Sequence, residues 1–147
     1  MAMGLHGVDR LVFVYGTLRR GGSNDLARLH PGAGFVAGAS VAATLYDLGA
    51  YPGAIFPAPG GQKTGAPTTP VVGEIYRITP GIEHALDILE EVAEDGRGEY
   101  VKRLVDVGTA TGTVRCLAYE IHPSRIEGRP VIAGGDWLVH RLARHRP

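Results

Sequence analysis

The chain has 147 residues, 22 of them glycine, with 15 Lys or Arg balanced by 15 Asp or Glu and a single cysteine. A chain of this length buries about two thirds of its unfolded surface, so it needs no metal or disulfide staple, and the zero charge balance removes the global field that gathers nucleic acid or anionic membranes. Cys116 has no partner for an intrachain disulfide, no run reaches the roughly 18 apolar residues of a membrane helix, and the first ten residues have no apolar stretch of leader length. The expectation is one cytoplasmic domain spanning 1–147, with its core at about 10–145.

The first element is the run RLVFVYG, β-branched and aromatic with apolar residues on both faces, which predicts a central strand buried on two sides. After the glycines, Ser23 or Asn24 is placed to cap a short helix, DLARLHP, ended by Pro31 and Gly32. FVAGASVAATLYDLG reads as one long or bent strand, and YPGAIF starts another after the turn at Gly49. Between Pro57 and Pro70 no residue has a large apolar side chain and half are Pro or Gly, so this segment reads as a flexible loop or lid.

VVGEIYRI is a strand by the alternation of Val72, Glu74, Tyr76 and Ile78. Thr79 and Pro80 then form a cap and first turn for a helix that runs to Asp95 and is closed by Gly96. Two strands, YVKRLVDVG and TVRCLAYEI, flank the turn TATG. A final helix, GDWLVHRLARH, has Asp136 at its cap. Its terminal arginines fit the favourable end of a helix dipole and read as a solvated end.

The helix from Pro80 carries several carboxylates, and periodicity ranks them. Ile82, Ala85, Leu86, Leu89, Val92 and Ala93 form one apolar stripe. Glu90 lies about 110° from its centre, closer than Glu83, Asp87, Glu91 or Glu94. A carboxylate at such a boundary is either a solvated rim residue or a partly desolvated acid with a raised pKa, suited to moving protons near neutral pH.

Other chemistries lack their spacing. GGQKTG mimics the end of a phosphate loop but precedes a strand, and GAGFVAG misses the dinucleotide pattern by one residue. The six histidines form no H-E-x-x-H and no helical pair, so neither metal nor cofactor is expected. Cys116 alternates with Val114 and Ala118 and reads as a small buried hydrophobe. Trp137 and Tyr119 read as packing residues. Tyr46 and Tyr51 suit core and pocket wall equally, and Tyr51 is retained as a binding candidate.

Six segments, YGTLRRGGSN, LYDLGAYPGAI, VVGEIYRI, LDILEE, EYVKRLVDV and IAGGDW, resemble in order the γ-glutamylcyclotransferase-like (AIG2-like) family. The resemblance covers Leu11 to about Leu142. It implies an α+β fold, a small mixed β-barrel with flanking helices. It also implies an enzyme of the amide-cleaving lyase or acyltransferase type that cyclises a small-molecule γ-glutamyl amide to 5-oxoproline and a free amine. By the same resemblance, the backbone of Tyr15, Gly16, Thr17 and Leu18 binds substrate, and the acid of the L-D-x-x-E segment is Glu90, the residue singled out by periodicity.

This sequence departs from the family where a glycine commonly follows the acid and Glu91 stands instead. The family's Y-x-R here reads Tyr100, Val101, Lys102, with Arg103 one place later. The long 57–70 segment is a third departure, at an expected pocket entrance. Arg19, Arg20 and the following glycines read as the exit from the site. Two rival functions are a non-catalytic binding module of the same fold and deprotection of a larger γ-glutamylated metabolite.

Overall fold

The computed structural model describes residues 8–57, 68–91 and 98–144. Six strands, β1 (Arg10–Val14), β2 (Gly34–Asp47), β3 (Pro52–Ile55), β4 (Thr69–Ile78), β5 (Tyr100–Thr109) and β6 (Gly112–Ile121), are joined by α1 (Leu26–Leu29), α2 (Pro80–Leu89) and α3 (Trp137–Arg144). Five strands close a barrel in the order β1–β4–β2–β3–β6 and back to β1, and β5 lies outside it, paired along β6 and touching β2 at Ser40 and Gly108. The sheet is mixed: β6 runs parallel to both β1 and β3, and the other pairings are antiparallel.

β1 is central, as its apolar run predicts, because β4 and β6 cover both of its edges. Its two faces feed separate cores. Val12 and Val14 pack with Leu26 of α1 and Leu86 of α2, while Phe13 and Tyr15 pack with Leu45, Ile75 and Trp137 of α3. Burial of one such Leu or Phe side chain contributes roughly 1.5–3 kcal/mol. β2 serves two neighbours with different parts of its length, β4 through Gly34–Ala43 and β3 through Thr44–Asp47. The long strand read from the sequence thus forms a corner of the barrel.

Several local expectations are corrected. Asp25, rather than Ser23 or Asn24, caps α1, accepting from Ala27 N–H at 3.1 Å and from Gly21 N–H at 2.9 Å. The strand β4 starts at Thr69, inside the segment read as a loop, and residues 58–67 of that segment lie outside those described. β4 does not alternate cleanly, because Glu74, Ile75 and Tyr76 are all buried between its two neighbours. Thr79 caps α2 as expected, yet the helix stops at Leu89 rather than Asp95: Glu90 is its C-cap and Glu91 takes φ 53°. A left-handed residue ends helical hydrogen bonding whatever the propensity of the residues after it.

The last helix is no solvated end. Arg144 donates to both carboxylate oxygens of Asp47 at 2.9 and 3.0 Å and to Gly49 O at 2.8 Å, and the His140 Nε2–Asp47 Oδ2 distance is 2.7 Å. Asp136 accepts from Val139 N–H at 3.1 Å, and Trp137 is fully buried. Among the described residues no helix is long and apolar enough to cross a membrane.

Candidate active site

Where β1 ends, the chain enters Tyr15–Leu18, and these residues line a cavity of about 380 Å³. Three other segments complete it: Ala50–Pro52 before β3, Leu89–Glu91 at the end of α2, and Glu99 and Tyr100 at the start of β5. The structure therefore brings together all six residues marked from the sequence, Glu90 with Tyr15, Gly16, Thr17, Leu18 and Tyr51. It adds Ser23, Asn24, Glu99, Tyr100 and Tyr119.

The Tyr15–Leu18 turn is held by its own chain. Asn24 N–H donates to Thr17 O at 2.9 Å, its side-chain amide donates to Thr17 Oγ1 at 3.2 Å, and Leu26 N–H donates to Leu18 O at 3.0 Å. The carbonyls are thereby occupied. The peptide N–H groups of Gly16, Thr17 and Leu18 donate to no acceptor among the described residues. Gly16 is required by space, since a Cβ there would lie 2.8 Å from Pro52 Cγ. The Tyr15 hydroxyl is engaged within the protein, donating to Tyr119 O at 2.6 Å and accepting from Ala54 N–H at 3.0 Å. It ties β1 to β6 and β3.

The carboxylates of α2 are sorted by their partners. Glu83, ranked by periodicity as farther from the apolar stripe than Glu90, is the more buried, because Lys102 reaches it from β5 at 2.6 Å and Arg10 from β1 at 3.3 Å. Asp87 accepts from Lys102 at 3.0 Å and from the Tyr119 hydroxyl at 2.8 Å. Lys102 thus uses its charge inside this network. Leu89, assigned to the stripe, is exposed. Glu90 is half-buried and lines the cavity; its peptide N–H donates to Leu86 O at 2.9 Å, and its carboxylate has no hydrogen-bond or ion-pair partner among the described residues. Burial, and then the charge of Glu99, push its carboxyl up to about 7.

Glu91 also lines the cavity but is exposed. The aromatic walls are pinned: Tyr100 donates to Pro52 O at 2.7 Å, its ring is 6.4 Å from that of Tyr51, and Tyr51 donates to Glu99. Burial, together with the nearby carboxylates Glu90 and Glu99, raises the Tyr100 phenol, which keeps it a neutral donor. Tyr46 belongs to the core, and Tyr51 to the cavity wall as well as the core's edge. Tyr119 packs as expected but also borders the cavity.

Arg19 and Arg20 lie outside the lining. Arg19 donates to Glu74 at 2.7 Å and to Asp136 at 2.9 Å, and Arg20 stacks over Phe35, so they bind the turn to the barrel and α3. The reading of the subsequent residues as an exit is incomplete, because Ser23 and Asn24 border the cavity. Burial raises the Cys116 thiol to about 11, which suits a packing residue. No group of three His, Cys, Asp or Glu among the described residues is placed to hold a metal.

A small mixed barrel whose cavity holds a backbone turn and a glutamate with no side-chain partner among the described residues defines a class of protein, and comparison with known proteins specifies it. Residues 12–139 match the family described as Gamma-glutamyl cyclotransferase, AIG2-like, and the chain belongs to that family. A Vibrio cholerae protein described as "Putative gamma-glutamylcyclotransferase" is 33% identical over 130 residues, covering 88% of this chain and 96% of its own. The fold is shared with YkqA from Bacillus subtilis (TM-score 0.69, 24% identity, 93% of this chain), of which the match spans only 42%. It is shared too with an AIG2-like protein from Mus musculus (TM-score 0.63, 23% identity, 84% of this chain and 85% of the other).

Proposed function

We propose that the protein is a γ-glutamyl cyclotransferase, which releases an amine from a small-molecule γ-glutamyl amide while the glutamyl part closes to 5-oxoproline. The whole chain, 1–147, is taken as one domain with this activity. The observation that carries the reading is Glu90: half-buried, and in one cavity with the peptide N–H groups of Gly16–Leu18, its carboxylate and those N–H groups alike having no partner among the described residues.

The substrate supplies its own nucleophile, so the enzyme's task is orientation and proton movement. Bending the substrate so that its α-amine meets the γ-carbonyl turns a slow encounter into ring closure, for which orientation contributes several kcal/mol. Glu90, raised to about 7, takes a proton from the attacking nitrogen and gives it to the leaving one. The N–H groups of Gly16–Leu18 receive the α-carboxylate or the oxyanion, with Gly16 admitting close approach. Tyr51 forms part of the wall that fixes the bent substrate.

The deciding experiment follows 5-oxoproline from a panel of γ-glutamyl amides with the wild type, Glu90→Gln and Glu91→Gln. Product from the wild type and from Glu91→Gln, with none from Glu90→Gln, is the expected pattern. No product from any substrate would put a non-catalytic binding module ahead, and product only from bulky γ-glutamylated metabolites would favour a deprotection step. Activity lost in Glu91→Gln and kept in Glu90→Gln would move the acid by one residue.

A further inference from the structure

Glu99 occupies a place in the cavity that the reaction above leaves unassigned. Its peptide N–H donates to Glu91 O at 3.0 Å and its carbonyl accepts from His122 N–H at 2.8 Å, so its backbone is fixed on both sides. Its side chain is 12% exposed; Oε2 accepts from the Tyr51 hydroxyl and lies 4.0 Å from Arg125 Nη1. Oε1 has no hydrogen-bond partner among the described residues. A carboxylate can accept about four hydrogen bonds, so most of the capacity of this one is unused.

The cavity lining contains three glutamates, Glu90, Glu91 and Glu99, and no Lys, Arg or His among the described residues. Another part of the same lining offers the unpartnered N–H groups of Gly16–Leu18. Donors in one part and carboxylates in another complement a zwitterionic amino-acid head, whose carboxylate needs N–H groups and whose ammonium needs oxygens. Glu90 and Glu99 differ in how they can serve that ammonium. Glu99 is held by a phenol and lies near a guanidinium, whereas the Glu90 carboxylate has neither among the described residues and is free to exchange a proton.

We propose that Glu99 is the residue that receives the α-ammonium of the substrate, with the Tyr51 hydroxyl fixing its carboxylate and the Arg125 charge nearby, so that Glu90 alone carries protons. The inference rests on the cyclotransferase reading. Glu99 Oε1 accepts one ammonium N–H, and Glu90 removes another proton. The neutral amine then forms the ring C–N bond at the γ-carbonyl carbon, and the C–N bond to the leaving amine breaks. Two protons leave the attacking nitrogen through Glu90 and both end on the leaving nitrogen, which departs as an ammonium. Glu99 neither gains nor loses a proton, and charge is conserved.

The test measures calorimetric affinity in the Glu90→Gln background, where turnover is blocked, for γ-glutamyl ethylamide and for its desamino counterpart, glutaric acid monoethylamide. The amine-bearing probe is expected to bind better, and adding Glu99→Gln to weaken it roughly tenfold, the worth of one charge-assisted hydrogen bond, with the desamino probe unaffected. Glu99→Asp restores part of the preference, and Tyr51→Phe, which keeps the carboxylate but removes the hydroxyl that fixes it, reduces it less. Equal weakening of both probes by Glu99→Gln, or an intact preference, overturns the assignment, and a preference lost only in Glu91→Gln transfers it to Glu91. Absence of 5-oxoproline from the wild type would instead defeat the cyclotransferase reading, while the two probes would still report whether Glu99 selects an amine.

Discussion

Glu91 enters the left-handed region, φ 53°, directly after Glu90 caps α2, and this single step leaves Glu90 half-buried and Glu91 exposed. Glu91 N–H still donates to Ile88 O at 3.1 Å, and Glu91 O accepts from Glu99 N–H, so the turn also joins the end of α2 to the start of β5. A glycine takes positive φ without a Cβ penalty. Glu91→Gly is expected to stabilise the protein by about 1 kcal/mol, a rise in melting temperature of about 2–4 °C, with cyclotransferase activity retained. A lower melting temperature would mean that the Glu91 side chain contributes more than its backbone strain costs.

The environment of Glu90 sets a pH dependence for both rate and stability. Its folded pKa, raised by burial and by Glu99 to about 7, lies above the unfolded value of about 4.3. The associated stability is therefore full below the unfolded value and is lost as pH rises through the folded one. Glu90→Gln should be more stable than wild type at about pH 8, by about 1–2 kcal/mol once solvent in the open cavity is allowed for, and the gap should close below about pH 4.5. In the wild type kcat/KM is expected to rise through about pH 7, and in Glu99→Gln the inflection moves to lower pH. Chemical denaturation at the two pH values, with a pH–rate profile, checks both.

Gly16 and Pro52 meet in the cavity lining with no room for a methyl group between them: a Cβ would sit 2.8 Å from Cγ and 3.0 Å from Cδ of a ring that cannot swing aside. Pro52 is further held through its carbonyl by Tyr100. Gly16→Ala should cost about 1–3 kcal/mol by overpacking and raise KM, because either the N–H turn or the Tyr51 segment must shift. An unchanged melting temperature and KM would show that the turn absorbs the methyl without cost.

α3 grips the turn that carries Tyr51 into the cavity. Burial alone would raise the Asp47 carboxyl, but bonds from His140, Gly49 N–H and Arg144 outweigh it and hold the carboxyl below its ordinary range. The stability from these contacts is therefore full above the unfolded pKa of about 3.9 and is lost as pH falls through the folded value. Arg144→Gln should cost about 1–2 kcal/mol at about pH 6, and less on approaching about pH 3. Trp137 is the one tryptophan of the sequence and lies under Arg144, 5.3 Å from its guanidinium carbon. Its fluorescence should change in the variant before any global unfolding, and an unaltered spectrum would argue against the contact in solution.

The legible parts of the chain are those in which a local pattern coincides with its tertiary use. β1 shows both faces apolar because β4 and β6 do enclose it, and Thr79–Pro80 starts α2 because cap and first turn are contacts within a few residues. The end of α2 was not legible. Residues 90–95 include no Gly or Pro to stop a helix, yet Glu91 turns left-handed and its carbonyl accepts from Glu99 N–H, just before β5. Ser23, Asn24 and Asp25 are three adjacent capping types, and choosing among them depended on Thr17 engaging Asn24 from seven residues away.

Glu90 was legible for a partly fortunate reason. Periodicity ranked it first on a helix that ends one residue before it, and ranked Glu83 lower although Lys102 and Arg10 allow that carboxylate to be buried. Glu99, Tyr100 and Tyr119 carry no comparable signal, because Tyr100 and Tyr119 sit in strand patterns that fit simple packing equally well and Glu99 lies in the connection before β5, where no periodicity ranks it.

Elements, their order and a short set of candidate atoms follow from contacts within a few residues, where sterics, side-chain spacing and capping act directly on the chain. Which carboxylate is left without a partner does not follow from them. It depends on where Arg10, Tyr51, Lys102 and Arg125 arrive once the barrel has closed and β5 has paired along β6 outside it. Charge compensation acts through space rather than along sequence, and the barrel alone brings Glu99 beside Glu90 while supplying cations to Glu83 and Asp87.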